Sequence, residues 1–173
     1  MENTTQKNYD WLTLEAASEL VEATELGDIV QIVKCLEAGA DPDARSANGW
    51  TALQIATIYG RTHAVMELLR RGAQVDATDP NGQTALIMAA VHGRTDIAIL
   101  LLFYGADPNR ATIGGHTALM AAVQYDYVDI VELLIDKGAD LDAECIGRET
   151  ALIIGAQYNR KEAVRRLKDA GAR

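Results

Sequence analysis

Apolar and polar positions along this chain recur in a fixed order. Ala64, Val65, Leu68 and Leu69 return 33 residues later as Ile97, Ala98, Leu101 and Leu102, and again as Ile130, Val131, Leu134 and Ile135. Steps of one, three and four residues put each set on one face of a helix. Ahead of each set lies a shorter apolar run opened by Thr-Ala-Leu, at Thr51, Thr84, Thr117 and Thr150. Threonine before an apolar run is a helix N-cap signal, and Gln54, three residues after Thr51, completes a capping-box pattern. The pattern predicts repeated pairs of helices, a short inner one followed by an outer one.

The breaks between helices keep the same period. Gly39, Gly72, Gly105, Gly138 and Gly171 follow the outer helices, where glycine acts as a C-cap. Gly60, Gly93, Asp126 and Asn159 share one position between the paired helices. These residue types tolerate a left-handed backbone, which predicts a tight turn there. Between units, residues 41–49 and the phrase Asp79-Pro80-Asn81-Gly82 carry turn chemistry and predict hairpins. Ala56, Ala89, Ala122 and Gly155 occupy one inner position, small enough for neighbouring units to approach closely. Two phrases locked to one period are the signature of a stacked repeat, in which each unit buries its face against its neighbours.

In this order the parts resemble the ankyrin repeat. The match is carried by Asp79-Pro80-Asn81-Gly82-Gln83-Thr84-Ala85-Leu86-Ile87-Met88-Ala89-Ala90, then the glycine turn, the leucine-rich outer helix and Gly105-Ala106-Asp107. It covers residues 14 to 173. The resemblance implies an all-α solenoid of helix-turn-helix units joined by β-hairpin loops, with caps at both ends. It also implies a protein-protein interaction module, an adaptor, scaffold or inhibitor that grips a protein partner in its concave groove. A regulatory subunit of an enzyme complex and a laboratory-engineered binder are the alternatives, and divergence between the units argues against the second. Two departures recur. The family's proline after threonine is Ala52, Ala85, Ala118 or Ala151, and its histidine is Gln54, Ile87, Met120 or Ile153. These changes are expected to remove a preorganised first turn and a polar network.

The resulting organisation has a mobile segment at 1–12, with Tyr9, Trp11 and Leu12 able to fold back over the first pair. A cap helix pair follows at 13–38, with no hairpin before it. Repeats are expected at 39–71, 72–104 and 105–137, and a last repeat at 138–173 acts as the C-terminal cap. There Arg166 and Lys168 replace Leu133 and Ile135, giving the polar outer face that a terminal unit needs.

Charge narrows the partner. The net charge is −9, made up of −6 over residues 1–38, −4 over 39–137 and +1 over 138–173. An acidic chain with an acidic N-terminal third disfavours nucleic acid, because phosphate neutralisation needs a basic face. The cations Arg160, Lys161, Arg165, Arg166 and Lys168 read as a solvated helix face near a helix C-terminus. No apolar run suits a membrane span, and no segment resembles a signal peptide. Cys35, in an apolar helical pattern, and Cys145, at a loop tip, have no metal-ligand spacing, and reduced thiols fit the cytoplasm. His63, His92 and His116 fall at three different repeat positions, so no catalytic residue, cofactor or metal is expected. The acid pairs Asp41/Asp43 and Asp140/Asp142 recur with the hairpin and lack calcium-loop spacing.

Candidate binding residues sit at the variable positions. Tyr59, His92, Tyr125 and Tyr158 share one register just before the turn, and Trp50, Gln83, His116 and Glu149 share the one before threonine. In an ankyrin-type stack these positions line the concave groove. Trp50, Ile58, Tyr59, Gln83, His92, Ile113, His116, Gln124, Tyr125 and Tyr158 are therefore the expected partner-binding set, rich in the amphipathic aromatics of interface hot spots. On the convex side, Met66, Ile99 and Phe103, extended by Tyr104, form an expected apolar patch and possible second interface. The expected state is a monomer or weak homo-oligomer.

Overall fold

The structure, a computed structural model, describes residues 4–173, with side chains from residue 15 onward. Ten helices form five antiparallel pairs among the described residues. The first pair is α1 (Thr4–Leu26) and α2 (Ile29–Glu37). Then come α3 (Ala52–Ile58) with α4 (Thr62–Arg70), and α5 (Ala85–His92) with α6 (Thr95–Phe103). The last two pairs are α7 (Ala118–Tyr125) with α8 (Val128–Asp136), and α9 (Ala151–Gln157) with α10 (Lys161–Asp169). Helix α1 begins before the expected Thr13, and no glycine or proline interrupts the sequence ahead of Gly27. Residues 1–3 of the segment expected to be mobile lie outside the described residues, as do the side chains of Tyr9, Trp11 and Leu12, on which the expected return over the first pair depends. Inner helices stack on inner helices and outer on outer, so the chain is a solenoid. Isolated bridges join Arg45 with Thr51 and Ala111 with Thr117 in the linking loops, which are narrow hairpins rather than a sheet.

Local chemistry sets each element. Thr51, Thr84, Thr117 and Thr150 all accept an N–H three residues on, the N-cap bond their sequence announces. Gly60, Gly93, Asp126 and Asn159 all turn with positive φ, at 66°, 64°, 65° and 56°. The residue after each turn runs back over the preceding unit. Arg94 Nη2 donates to the Ile58 carbonyl at 3.1 Å, and Arg160 Nε to that of Gln124 at 3.0 Å. The Tyr127 ring covers Gly93 so closely that a Cβ there would collide with it.

Packing follows in rows. Leu68, Leu101, Leu134 and Leu167 occupy equivalent outer positions and are fully buried, each worth about 1.5–3 kcal/mol relative to exposure. Cys35 fills the same row in α2 and is buried as well. Burial pushes its thiol above the ordinary value, and the Glu19 carboxylate adds to the effect. Ala56, Ala89 and Ala122 are fully buried, and a Cβ on Gly155 would come within 2.7 Å of Val164, so the small column is imposed by close approach.

Two expectations change, and the hairpin acids gain a partner. The polar network survives in the first unit. Gln54 is buried, accepts the Thr51 N–H at 2.8 Å and donates to the Gln83 carbonyl of the next hairpin at 2.7 Å. Cys145 is buried inside its hairpin, at the position held by Asp79 and Thr112, whose side-chain oxygens accept N–H groups across the turn. It is not at the tip. The hairpin acids form a ladder: Asp43 accepts the Gln74 N–H at 2.8 Å, Asn109 that of Asp140 at 2.7 Å, and Asp142 that of Arg173 at 2.8 Å. Asp76 receives the Asp107 N–H in the same way. These side chains join unit to unit.

Candidate functional site

Concave surface arises where hairpin tips project past the inner helices. The tips are themselves tied together, Ile113 N–H to the Asn81 carbonyl and Ile146 N–H to the Gly114 carbonyl, both at 3.0 Å. Between the second and third hairpins and helices α5 and α7 lies an open cleft of 410 Å³. Ile87, Val91 and Ala121 supply its apolar lining; Asn81, Gln83, Thr112, His116, Gln124 and Tyr125 add polar atoms, and Ile113 stands over it, 73% exposed. No Asp, Glu, Lys or Arg lines it. A second opening, of 660 Å³, lies between α1 and the first hairpin. Its charged residues are Glu15, Glu22, Glu25 and Arg45, and Arg45 turns its guanidinium to the Gly49 and Thr78 carbonyls.

The structure gathers five of the ten expected groove residues at one cleft: Gln83, Ile113, His116, Gln124 and Tyr125. Tyr59, Tyr125 and Tyr158 are half exposed. The Tyr125 ring stacks on Tyr127 at 6.4 Å, and the Gln124 amide reaches the Tyr158 hydroxyl at 3.5 Å. His92 is exposed, and its Nδ1 lies 2.9 Å from the Met88 carbonyl, which assigns the proton to that nitrogen. Trp50 and Ile58 are only partly exposed, and Trp50 packs against the core. Sequence reasoning passed over Ile87 and Ile146. Ile146 follows Ile113 by one repeat and is 79% exposed, so the register that flagged one residue identifies the other.

The basic cluster on α10 is largely engaged in ion pairs. Arg166 meets Glu132 at 2.8 Å and Glu162 at 2.9 Å, and Arg165 pairs with Glu162 and Asp169. Hydrogen bonds from Arg165 and Arg166 pull the Glu162 carboxyl down to about 2. No cluster of three or more metal-ligating side chains occurs among the described residues, and none of their helices is long and apolar enough to cross a membrane.

An open groove on a stack of helix pairs, with surface breadth in place of a closed pocket, defines a helical-repeat protein. The family model described as "Ankyrin repeats (3 copies)" matches residues 20–112 and 109–173, and the chain belongs to the ankyrin-repeat family. Members of that family are generally protein-protein interaction modules and typically not enzymes. A search of curated proteins gives no match.

Proposed function

We propose that this chain is an adaptor, scaffold or inhibitor acting in the cytoplasm, and that it seats a segment of a protein partner in its concave groove. The 410 Å³ cleft carries the reading. It combines an apolar lining, exposed Ile113, a half-exposed tyrosine and amide groups, with no fixed charge to strip of water. Interface centres have that composition, depleted in charge and rich in aromatics. An extended segment would place one apolar side chain in the cleft and offer its backbone to the Gln83 and Gln124 amides. Tyr59 and Tyr158 would flank it on either side. The carboxylates of Glu15, Glu22 and Glu25 at the α1 end favour a partner that is cationic there. Two free, buried cysteines suit a reducing compartment.

Photo-cross-linking in the native cell tests this reading. One variant carries the cross-linker at Ile113, and a second carries it at Lys168 on the exposed side of α10. A discrete protein adduct at Ile113 that is missing at Lys168 supports groove docking. An adduct at Lys168 alone, or none at either position, refutes it.

A further inference from the structure

Helix α6 has no polar outer face. From Ile97 to Phe103 every residue is apolar, and although Ile97, Ala98, Leu101 and Leu102 are buried, Ile99 is 51% and Phe103 80% exposed. Phe103 is the only phenylalanine in the chain, and it stands edge-on to Tyr104 at 5.6 Å. A helix that is apolar on all sides is normally covered on all sides. Equivalent positions explain what flanks it. The row containing Ile99 reads Met66, Ile99, Glu132 across α4, α6 and α8, and the row containing Phe103 reads Arg70, Phe103, Asp136. The apolar ridge therefore has a basic neighbour toward the N-terminus and an acidic one toward the C-terminus. Arg70 is exposed and Met66 is 37% exposed; Asp136 is exposed and the Glu132 side chain is 40% exposed.

We infer that the convex face is a self-association surface, and that a second copy of this chain covers α6 through a two-fold axis running along the exposed edge of α6. A two-fold turn about that axis lays α6 against α6 in the parallel sense, so Phe103 meets Phe103 and Ile99 meets Ile99 across it. The same turn carries α4 of one copy over α8 of the other. Arg70 then faces Asp136, twice, and Met66 borders Glu132. A face whose charges are opposite on its two sides, with an apolar centre, is complementary to itself under such a rotation; a two-fold axis perpendicular to α6 would lay α4 on α4 and α8 on α8, like charge beside like. Two-fold dimers are also the commonest closed assembly. Because both surfaces are convex, the contact buries less than the roughly 1,600 Å² of a stable complex, and the dimer is weak and concentration-dependent. Glu132 keeps its bond to Arg166, and the exposed Asp136 carboxylate receives Arg70 of the other copy. The concave groove stays open on both copies, so the assembly presents two grooves facing away from each other.

Sedimentation equilibrium of the full chain, from micromolar to millimolar concentration, is the test. The parent should shift from monomer to dimer. Phe103→Asp should weaken dimerisation at least tenfold with unchanged helical circular dichroism. Arg70→Glu and Asp136→Arg should each weaken it several-fold, and the double variant should regain most of the loss, because the swap restores opposite charges at both contacts. A chain monomeric up to millimolar concentration overturns the inference. So does a dimer indifferent to Phe103→Asp, or a charge swap that fails to restore association while each single variant stays folded.

Discussion

Replacing Gln54 with methionine should destabilise the chain by about 2–3 kcal/mol. Methionine nearly conserves the volume, so no cavity term enters. The loss comes from hydrogen bonds. The Thr51 N–H, buried at the start of α3, loses its 2.8 Å acceptor, and orphaning a buried donor costs on the order of 1–2 kcal/mol. The Gln83 carbonyl loses a 2.7 Å donor but keeps the Asp79 N–H at 3.1 Å, so its share is smaller, about 1 kcal/mol. For a chain of this size the sum lowers the melting temperature by roughly 5–10 °C. Gln54→Glu should be worse at neutral pH, since a carboxylate would keep the Thr51 bond and turn its other oxygen toward the Gln83 and Ala77 carbonyls. The assay is urea unfolding followed by circular dichroism, with hydrogen exchange at Ala52–Ile58 as the local readout. A loss below about 0.5 kcal/mol for the methionine variant would refute the claim that this amide joins the first two units.

Asp76→Asn should raise stability at neutral pH, because Asn109 makes the same ladder bond one unit later without a charge. Burial, and secondarily the Asp107 carboxylate, raise the Asp76 carboxyl above its ordinary range. The folded chain then holds that proton more tightly than the unfolded one, so stability falls as pH rises through the raised value, and the benefit of asparagine should shrink as pH drops into the ordinary carboxylate range, as urea midpoints at several pH values would show. Ala85→Pro should stabilise by about 0.5–1 kcal/mol in thermal melts. Ala52→Pro should destabilise, because the Ala52 N–H donates to the Ala44 carbonyl at 2.9 Å. Gly93→Ala should cost about 1–3 kcal/mol, from its φ of 64° and the Tyr127 ring above it; in a double-mutant cycle Tyr127→Ala should recover the steric part and leave the backbone part.

Much of the fold was legible because ankyrin signals are local. A threonine cap is read against the next three residues, and the left-handed turn at Gly60, Gly93, Asp126 and Asn159 is read from residue type alone. Features that join one unit to the next were not legible. Asp43 finds its partner 31 residues away, and Arg94 reaches back 36 residues to Ile58. Nothing in the neighbourhood of either residue announces such a bond. Arg148 shows the same limit. It holds φ at 57° where Gly49, Gly82 and Gly115 hold about 80°. A Cβ on Gly82 or Gly115 would come within 2.9 Å of the following hairpin's backbone. Among the described residues no hairpin backbone packs against Arg148, so a side chain fits there. At the groove, register located the tyrosine ladder, but depth decided which residues are open. Trp50 leans on the core while Ile146 projects, and no periodicity distinguishes them.

The affinity of the chain for a partner purified from its native cell, compared with that of the Tyr59→Ala, Tyr125→Ala, Tyr158→Ala triple variant, tests the groove most directly. Removing half-exposed aromatics from the rim leaves the buried leucine rows untouched, so the helical signal should be unchanged. Affinity should fall at least tenfold, since truncating a hot-spot aromatic costs about 2 kcal/mol or more. A folded triple variant that binds with parental affinity, or a triple variant that unfolds, would contradict the account and return the tyrosines to the role of packing residues.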